Sequence, residues 1–209
     1  MKSAWDIVTE FEEQLSEYTG APYVVCVDSC TNALLLCFYR LYREYGGGHI
    51  VMPSRTYVGV AQSALNAGHR IQFTDLQWKG EYPIFFQWTG FDHSCIIDSA
   101  KRLRKGMYPC KSDNDTCLSF HWQKHLPIGK GGAILTDSAE RAELYRRMCY
   151  DGRTPGVAPK DDTFVRGFHC MMDPKDAAQG LLLMQYVADY NEDLPSDGYP
   201  DLSKQEIFK

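Results

Sequence analysis

Residues 23–32 read YVVCVDSCTN, a short apolar run that passes directly into a polar turn rich in small side chains. The apolar run is typical of a buried strand. Residues 32–45 then have the pattern of a helix, which the glycines at 46–48 end. A strand, a tight turn and a helix in this order predict one unit of a sheet that is covered by helices.

The same alternation continues to about residue 190. Further strands are predicted at 49–52, 70–74, 94–98, 116–121 and 132–136. Further helices are predicted at 4–18, 56–67, 138–149 and 173–190. This order predicts an α/β fold with a mostly parallel, mixed sheet, in which ligands bind beyond the carboxyl ends of the strands.

The composition excludes several classes of protein. Of the 209 residues 44% are hydrophobic and 23% are charged, so the chain can bury a core and is not disordered throughout. The net charge of -5 argues against a nucleic-acid partner. The longest strictly apolar run, 33–39, is too short to span a bilayer, and no apolar signal segment opens the chain. We therefore expect a cytoplasmic protein that binds neither membrane nor nucleic acid.

The cysteines indicate packing rather than a metal site. There are eight, none of them in a Cys-x-x-Cys pair. Cys26, Cys95 and Cys117 lie in strand-like stretches, where a cysteine behaves as a small hydrophobic residue. Reduced thiols are predicted, because a disulfide framework is unusual in a chain of this kind.

Three polar features follow predicted strands. The turn at 28–32 opens a helix and offers N–H groups to a phosphate, although an ordinary helix cap is the commoner explanation of such a turn taken alone. Asp98 suits a protonated ring nitrogen, a metal ion or a cap. Lys124 is either a solvated surface residue or, if enclosed, a lysine able to form a Schiff base.

His121 and His125 lack a third ligand at metal spacing, so they are assigned to packing or substrate contacts.

The order of these features is more specific than any one of them. Tyr57 supplies an aromatic ring after the second strand, and Ser119 and Lys124 have the spacing Ser-x-x-x-x-Lys. Gly131 and Gly132 then open the last strand and allow a bulky ligand close to the backbone. A phosphate turn, an aromatic ring, an acid and then a serine and a lysine are typical of a pyridoxal phosphate (PLP) site.

The chain resembles the DegT/DnrJ/EryC1/StrS sugar aminotransferases, PLP-dependent enzymes of aspartate aminotransferase fold type I. The most specific match is 118–124 with 131–136, which is similar to the family pattern F-S-F-H-x-x-K with E-G-G-x-x-x-T. Weaker matches are 27–34 to V-N-S-G-T-x-A-L, 53–58 to P-x-x-T-F/W/Y-x-A, 67–75 to A-G-x-x-P-x-F-x-D, 97–100 to E-D-A-A-Q and 167–172 to G-x-N-x-R-M. The resemblance covers about 5–190 and implies a three-layer αβα PLP-transferase large domain, in shortened form.

The resemblance implies two catalytic residues. Lys124 would hold the coenzyme as a Schiff base and move a proton between substrate and coenzyme. Asp98 would keep the pyridine nitrogen protonated, and Tyr57 would stack on the ring. Lysine rather than histidine at 124 argues against the sugar dehydratases of the same family.

The remaining implied contacts are to the phosphate and the ring oxygen. Lys101 replaces the family's glutamine beside the phenolic oxygen, and Lys130 replaces the glutamate of E-G-G. His169 occupies the position of an asparagine that reaches the phosphate of the partner subunit, so a homodimer with shared sites is implied. The implied phosphate ligands are Ser29, Cys30, Thr31 and Ser119, with Cys30 in place of a glycine.

The implied function is the transfer of an amino group from glutamate to a nucleotide-linked keto sugar. The alternative is a non-catalytic or partner-dependent relative that binds PLP or assembles with a full-length enzyme. Residues 1–190 are assigned to the shortened large domain. The tail, 191–209, is expected to fray or dock on a neighbour, with the C-terminal small domain absent. The aromatic insert at 80–92 either patches the core or covers the dimer interface or the sugar site.

Overall fold

The computed structural model describes residues 4–88, 91–109 and 114–209, with 91–95 described by their backbone alone. It contains a seven-stranded sheet with helices on both faces. The strands are β1 (Tyr23–Val27), β2 (His49–Pro53), β3 (Arg70–Thr74), β4 (Tyr82–Trp88), β5 (Phe91–Asp98), β6 (Asp115–Ser119) and β7 (Gly132–Thr136). The α-helices are α1 (Asp6–Thr19), α2 (Cys30–Tyr45), α3 (Val58–Asn66), α4 (Ala139–Cys149) and α5 (Pro174–Met184).

The sheet is mixed, as the sequence predicts. Its strand order is β1-β7-β6-β5-β4-β2-β3. The pairs β2–β3 and β5–β6 are parallel, and the other four neighbouring pairs are antiparallel. Only β4 and β7 run against the common direction of the described strands, so β1, β2, β5 and β6 end at the same edge of the sheet.

Two apolar cores lie on opposite faces of the sheet. One contains the buried sides of α2, α3 and α4. The other contains those of α1 and α5, with Phe11 of α1 packed edge-on against Phe120 at 5.5 Å between ring centroids. The result is the three-layer αβα arrangement that the resemblance implies.

Helix α5 is shorter than the sequence predicts. We expected it to reach residue 190, but it ends at Met184. The carbonyls of Ala188 and Asp189 accept instead from the Tyr18 hydroxyl and from the backbone N–H of Lys105. Contacts to other parts of the chain therefore replace the last predicted turns of this helix.

The insert at 80–92 contains a strand that the sequence analysis did not predict. Its strand β4 fills the place between β2 and β5, and Tyr82 and Phe86 are buried in the core. Core patching is therefore the correct interpretation for these two residues, and an interface role for them is wrong. Trp88 is 40% exposed beside Tyr45, and its part in an interface stays a prediction. The side chain of Phe91 lies outside the described residues.

The tail, 191–209, packs on its own chain, so the expectation that it frays or docks on a neighbour is wrong. Leu202 is buried, and its N–H donates to the carbonyl of Ser54 at 2.9 Å. The Asp193 carboxylate accepts from Arg102 Nε at 2.9 Å and Nη2 at 2.6 Å. A buried side chain at one end and a bidentate ion pair at the other hold the tail on the sheet edge.

The six cysteines whose side chains are described are free thiols, as predicted. Cys37 and Cys117 approach to 3.7 Å between sulfur atoms, which is a hydrogen-bond distance and not a covalent one. The side chains of Cys95 and Cys110 lie outside the described residues. None of the described helices has the length and apolar character needed to cross a bilayer.

Candidate active site

A cavity of about 430 Å³ opens at the edge where β1, β2, β5 and β6 end. The residues predicted for a coenzyme site meet there because each ends or follows one of these strands. Those that line the cavity are Ser29, Cys30, Thr31, Tyr57, Asp98, Ser119 and Lys124. Cavities at the carboxyl edge of such sheets are the usual ligand sites of this architecture.

Asp98 is held in a fixed orientation at the base of the cavity. It is 4% exposed; its Oδ2 accepts from the Tyr82 hydroxyl at 2.7 Å and its Oδ1 from the Ala100 N–H at 2.9 Å. The Tyr82 hydroxyl also shares a 2.6 Å hydrogen bond with Thr56 Oγ1. Burial raises the pKa of Asp98, while these hydrogen bonds and the charge of Lys124 oppose that rise. Such a carboxyl group is stabilised in its charged form when a cation lies against it.

Lys124 lies in a turn just after β6, where its backbone N–H donates to His121 O at 2.8 Å. Its side chain lines the same cavity as Asp98. Burial lowers the pKa of Lys124, although the charge of Asp98 partly counteracts this. A lowered pKa increases the share of neutral amine near pH 7, the form that attacks a carbonyl carbon.

The amino end of α2 forms the floor of the cavity. Ser29 caps this 16-residue helix, because its Oγ accepts from Asn32 N at 3.2 Å. A Cβ built on Gly132 would lie 2.4 Å from the backbone nitrogen of Cys30, so only glycine allows β7 to pass this close. The cap interpretation and the phosphate interpretation are thus compatible, since the first-turn N–H groups and the helix dipole still face the cavity.

A salt bridge lies at the rim beside this floor. Lys130 Nζ is 3.3 Å from Asp28 Oδ2, and Asp28 Oδ1 accepts from the amide of Asn32 at 2.6 Å and from the Ser29 hydroxyl at 3.0 Å. A carboxylate next to a phosphate site is unfavourable by itself. Lys130, the residue that departs from the family's glutamate, therefore offsets that charge.

Tyr57 lies at the mouth of the cavity and is 54% exposed. Gly59 lies directly under its ring, since a Cβ at this position would be 2.7 Å from Tyr57 Cε1. The ring thus borders the open space above Asp98, where a flat ligand has room to stack.

Two predicted ligands do not line this cavity. Lys101 lies beyond it, and its Nζ donates to the Pro195 carbonyl and lies 4.6 Å from the centroid of the Tyr199 ring. His169 is exposed and pairs with Asp151, 2.9 Å between Nδ1 and Oδ2. Contact of Lys101 with the coenzyme and of His169 with a partner's phosphate both stay predictions.

The sequence analysis missed three site residues. Tyr82 orients Asp98, and Trp78 and Tyr199 line the cavity, their rings stacked at 6.1 Å. Burial and the nearby charge of Asp98 raise the pKa of Tyr199 to about 12. No local pattern marks Tyr199, because the fold of the tail brings it to the cavity. The single signal for Trp78 and Tyr82 was the aromatic density of the segment around them.

The two histidines that the sequence assigns to packing or substrate contacts lie near the cavity, and those roles stay predictions. His121 lines the cavity, and His125 Nε2 is 2.7 Å from the carbonyl of Glu192 in the tail. Among the described residues, no group of three potential ligands is arranged for a metal ion.

The residues of the cavity fit PLP. An anion site at a helix terminus, a buried acid and a partly desolvated amine correspond to the phosphate, the ring nitrogen and the aldehyde of the coenzyme. The close approach at Gly132 and the fixed orientation of Asp98 are built into the chain before any ligand arrives. The cavity thus defines the class of protein: an α/β chain with a site of the PLP-transferase type.

The sequence profile of the DegT/DnrJ/EryC1/StrS aminotransferase family matches residues 3–80 and 102–193. The chain belongs to this family. The match skips the segment 81–101, which includes β4 and Asp98 and where the chain departs most from the expected pattern.

Individual relatives are distant. The chain is 25% identical over 214 residues to the 3-oxo-glucose-6-phosphate:glutamate aminotransferase of Bacillus subtilis. This match covers 86% of this chain and 47% of the relative. It is 26% identical over 180 residues to the UDP-2-acetamido-2-deoxy-3-oxo-D-glucuronate aminotransferase of Pseudomonas aeruginosa, covering 70% of this chain and 50% of the relative. The chain thus spans about half the length of these curated relatives.

Solved structures agree on the fold. The crystal structure of NtdA from Bacillus subtilis with bound cofactor PMP superposes with a TM-score of 0.70 at 22% identity, covering 87% of this chain and 48% of that one. This likeness supports the αβα arrangement.

Proposed function

We propose that this chain is a PLP-dependent aminotransferase that moves an amino group from glutamate to a keto sugar, with a Schiff base at Lys124. The observation that carries the proposal is the placement of Lys124 and the buried Asp98 in one cavity whose floor is the amino end of α2. The bound coenzyme would supply the electron sink for the bond changes at the substrate carbon. The chain would supply position, charge and a movable proton.

The proposed roles follow from the contacts of each side chain. Asp98, fixed by Tyr82 and Ala100, would hold a proton at the ring nitrogen of the bound coenzyme. Lys124 Nζ would accept a proton from the substrate carbon and later donate it, and the lowered pKa of this buried amine favours the neutral form that accepts a proton. Tyr57 covers one ring face.

The proposed phosphate ligands line the same cavity. They are the first turn of α2 and the hydroxyl of Ser119, the last residue of β6. Their neutral donors and the helix dipole would hold a dianion without a dedicated arginine. We also propose His169 as a coenzyme contact, one that reaches the phosphate of a partner subunit.

The substrates are proposed from the relatives. One of them carries glutamate and 3-oxo-glucose-6-phosphate in its name, and another a UDP-linked 3-oxo sugar. For this chain we propose glutamate as donor and a nucleotide-linked keto sugar as acceptor. A homodimer in the cytoplasm, with 1–190 as a PLP-transferase large domain, completes the proposal.

The half-reaction with glutamate tests this function. Protein saturated with PLP is mixed with L-glutamate, and 2-oxoglutarate is measured against protein concentration while the coenzyme spectrum is recorded. We expect one 2-oxoglutarate per site for the wild type and for Lys105→Ala, whose side chain is exposed and pairs with Asp189. We expect none for Lys124→Ala. A wild type that binds PLP yet forms no 2-oxoglutarate would refute catalysis by the isolated chain.

A partner-dependent relative is the second candidate. The exposure of Tyr57, at 54%, and of Trp122, at 63%, favours it, because Tyr57 lines the cavity and Trp122 lies 5.4 Å between ring centroids from the cavity-lining His121. A partner chain that covered them would exclude water from the cavity. This candidate predicts that PLP binds, that glutamate does not convert it, and that a co-expressed family member restores conversion.

A further inference from the structure

A second cavity, of about 330 Å³, adjoins the first at Lys124. Gln123, Lys124 and Tyr199 line both cavities. The second cavity is completed by Lys101 and by tail residues Leu194, Pro195, Asp197 and Gly198. A ligand in this space would lie beside the amine of Lys124, where the reacting group of a substrate must be.

The wall that the tail provides is held in register by backbone hydrogen bonds. Leu194 N donates to Lys101 O at 3.0 Å, and Gly80 N donates to Leu194 O at 3.3 Å. Farther along, the hydroxyl of Ser196 donates to the carbonyl of Trp78. The segment 194–199 is therefore a fixed side of the cavity and not a passing loop.

The side chains of Lys101 and Lys124 both line this space. Lys101 uses one donor on the Pro195 carbonyl, and its charge lies 4.6 Å from the Tyr199 ring centroid and 5.8 Å from that of Trp78. Its other two N–H donors have no partner among the described residues. Burial and the charge of Lys124 both lower the pKa of Lys101, so the two amines repel each other across the cavity.

An anion between the two lysines would relieve that repulsion. Of the residues that line the second cavity, Asp197 is the one carboxylate, while Lys101 and Lys124 are two basic residues. The hydroxyl of Tyr199, which has no hydrogen-bond partner among the described residues, adds a neutral donor at the junction of the cavities. Charge and donors together are complementary to an oxyanion.

We propose that Lys101 and the tail segment 194–199 form a subsite for an anionic group of the reacting substrate, either the carboxylate of the amino donor or the phosphate of the sugar. The subsite deepens the proposed function and rests on it for the identity of the substrate. Lys101 would be its charged ligand, Tyr199 its neutral donor, and the tail the element that sets its width.

Isothermal titration calorimetry tests the subsite with two probes that cannot react. Glutarate represents the donor carboxylates, and uridine diphosphate represents the sugar nucleotide. Both are titrated into the PLP-saturated protein, and glutarate also into the protein without coenzyme. The variants are Lys101→Met, which removes the charge, Lys101→Arg, which keeps it, and Lys105→Met, a matched control outside the cavity. Thermal melting confirms that each variant is folded.

We expect Lys101→Met to weaken binding of a probe by about tenfold or more, and Lys101→Arg and Lys105→Met to bind within about threefold of the wild type. The probe that responds identifies the anion as carboxylate or phosphate. A wild type that binds neither probe, or a Lys101→Met variant that binds as tightly as the wild type, would overturn the subsite. If PLP fails to bind while glutarate binding still depends on Lys101, the proposed function falls and the subsite stands.

Discussion

The hydroxyl of Tyr82 donates a 2.7 Å hydrogen bond to Oδ2 of Asp98, and both residues are buried. The bond joins β4 to β5 at the point where they meet the cavity, since Tyr82 and Asp98 are partners in the sheet register. It fixes the carboxylate plane that faces the proposed ring nitrogen. The inserted strand thus contributes to the site through the orientation of Asp98.

Replacing Tyr82 with phenylalanine removes this hydrogen bond and leaves the ring in place. We expect the free energy of unfolding to fall by about 1–3 kcal/mol, because Asp98 and Thr56 both lose a buried partner. We also expect weaker PLP binding, since the carboxylate loses its fixed orientation. Chemical denaturation and a spectral titration with PLP measure the two effects.

Tyr145→Phe is the matched control for that variant. Tyr145 is equally buried and donates to the buried Asp115 away from the cavity. The Tyr145→Phe substitution should lower the free energy of unfolding to a similar extent and leave PLP affinity unchanged. Equal losses of PLP affinity in the two variants would contradict the specific role of Tyr82.

The two helix caps provide a second matched pair. Ser29 caps α2 at the cavity floor, and Ser138 caps α4 elsewhere, each accepting from the backbone three residues later. Ser29→Ala and Ser138→Ala should each cost about 0.5–2 kcal/mol of stability. Only Ser29→Ala should weaken the binding of PLP. It should leave the binding of pyridoxal, which lacks the phosphate, unchanged. A parallel loss for pyridoxal would refute a phosphate role for Ser29.

Asp98 predicts a pH dependence of stability without coenzyme. Burial raises its pKa in the folded state, so the folded state binds the proton more tightly than the unfolded state. The contribution of Asp98 to the free energy of unfolding is therefore fully present below its pKa in the unfolded state, near 3.9. It is lost as the pH rises through its pKa in the folded state.

The difference in unfolding free energy between Asp98→Asn and the wild type isolates this effect, because other titrations cancel. The variant should gain stability relative to the wild type as the pH rises from about 4 toward neutrality. Urea denaturation at several pH values measures the difference. A difference that does not vary with pH would mean that Asp98 titrates normally.

Lys124 should titrate below an ordinary lysine. Burial lowers its pKa, so the midpoint of its reaction with acetic anhydride should lie at lower pH than the usual value near 10.4. The exposed Lys175, whose pKa the Asp173 carboxylate raises, serves as the internal reference in the same digest. Asp98→Asn should move the Lys124 midpoint lower still, since it removes a stabilising charge. Equal midpoints for Lys124 and Lys175 would contradict this prediction.

Much of the site is predictable because it depends on strand ends. Ser29, Asp98 and Lys124 each follow a strand at close sequence distance, and strands with a common direction bring such residues to one edge. Local patterns suffice for that inference. They also suffice for the serine caps, whose donors are three residues away.

The rest depends on contacts that local patterns do not encode. Tyr199 reaches the cavity through a tail held by Asp193 and Leu202, and that tail has no helical or strand periodicity. Strand β4 begins with Tyr82 and Pro83 and continues as an apolar run, which hides the alternation typical of a strand. The hydrogen bond from Lys101 Nζ to the Pro195 carbonyl likewise depends on where the tail folds.

Borohydride trapping is the most direct test of the central claim, that Lys124 carries the coenzyme. Wild-type protein is incubated with PLP, reduced, digested and analysed by mass spectrometry, with Lys124→Ala and Lys105→Ala treated in parallel. The account predicts a single pyridoxyl phosphate group on Lys124, absent from Lys124→Ala and unchanged in Lys105→Ala. A label that persists in Lys124→Ala, or that is spread over exposed lysines in the wild type, would contradict it.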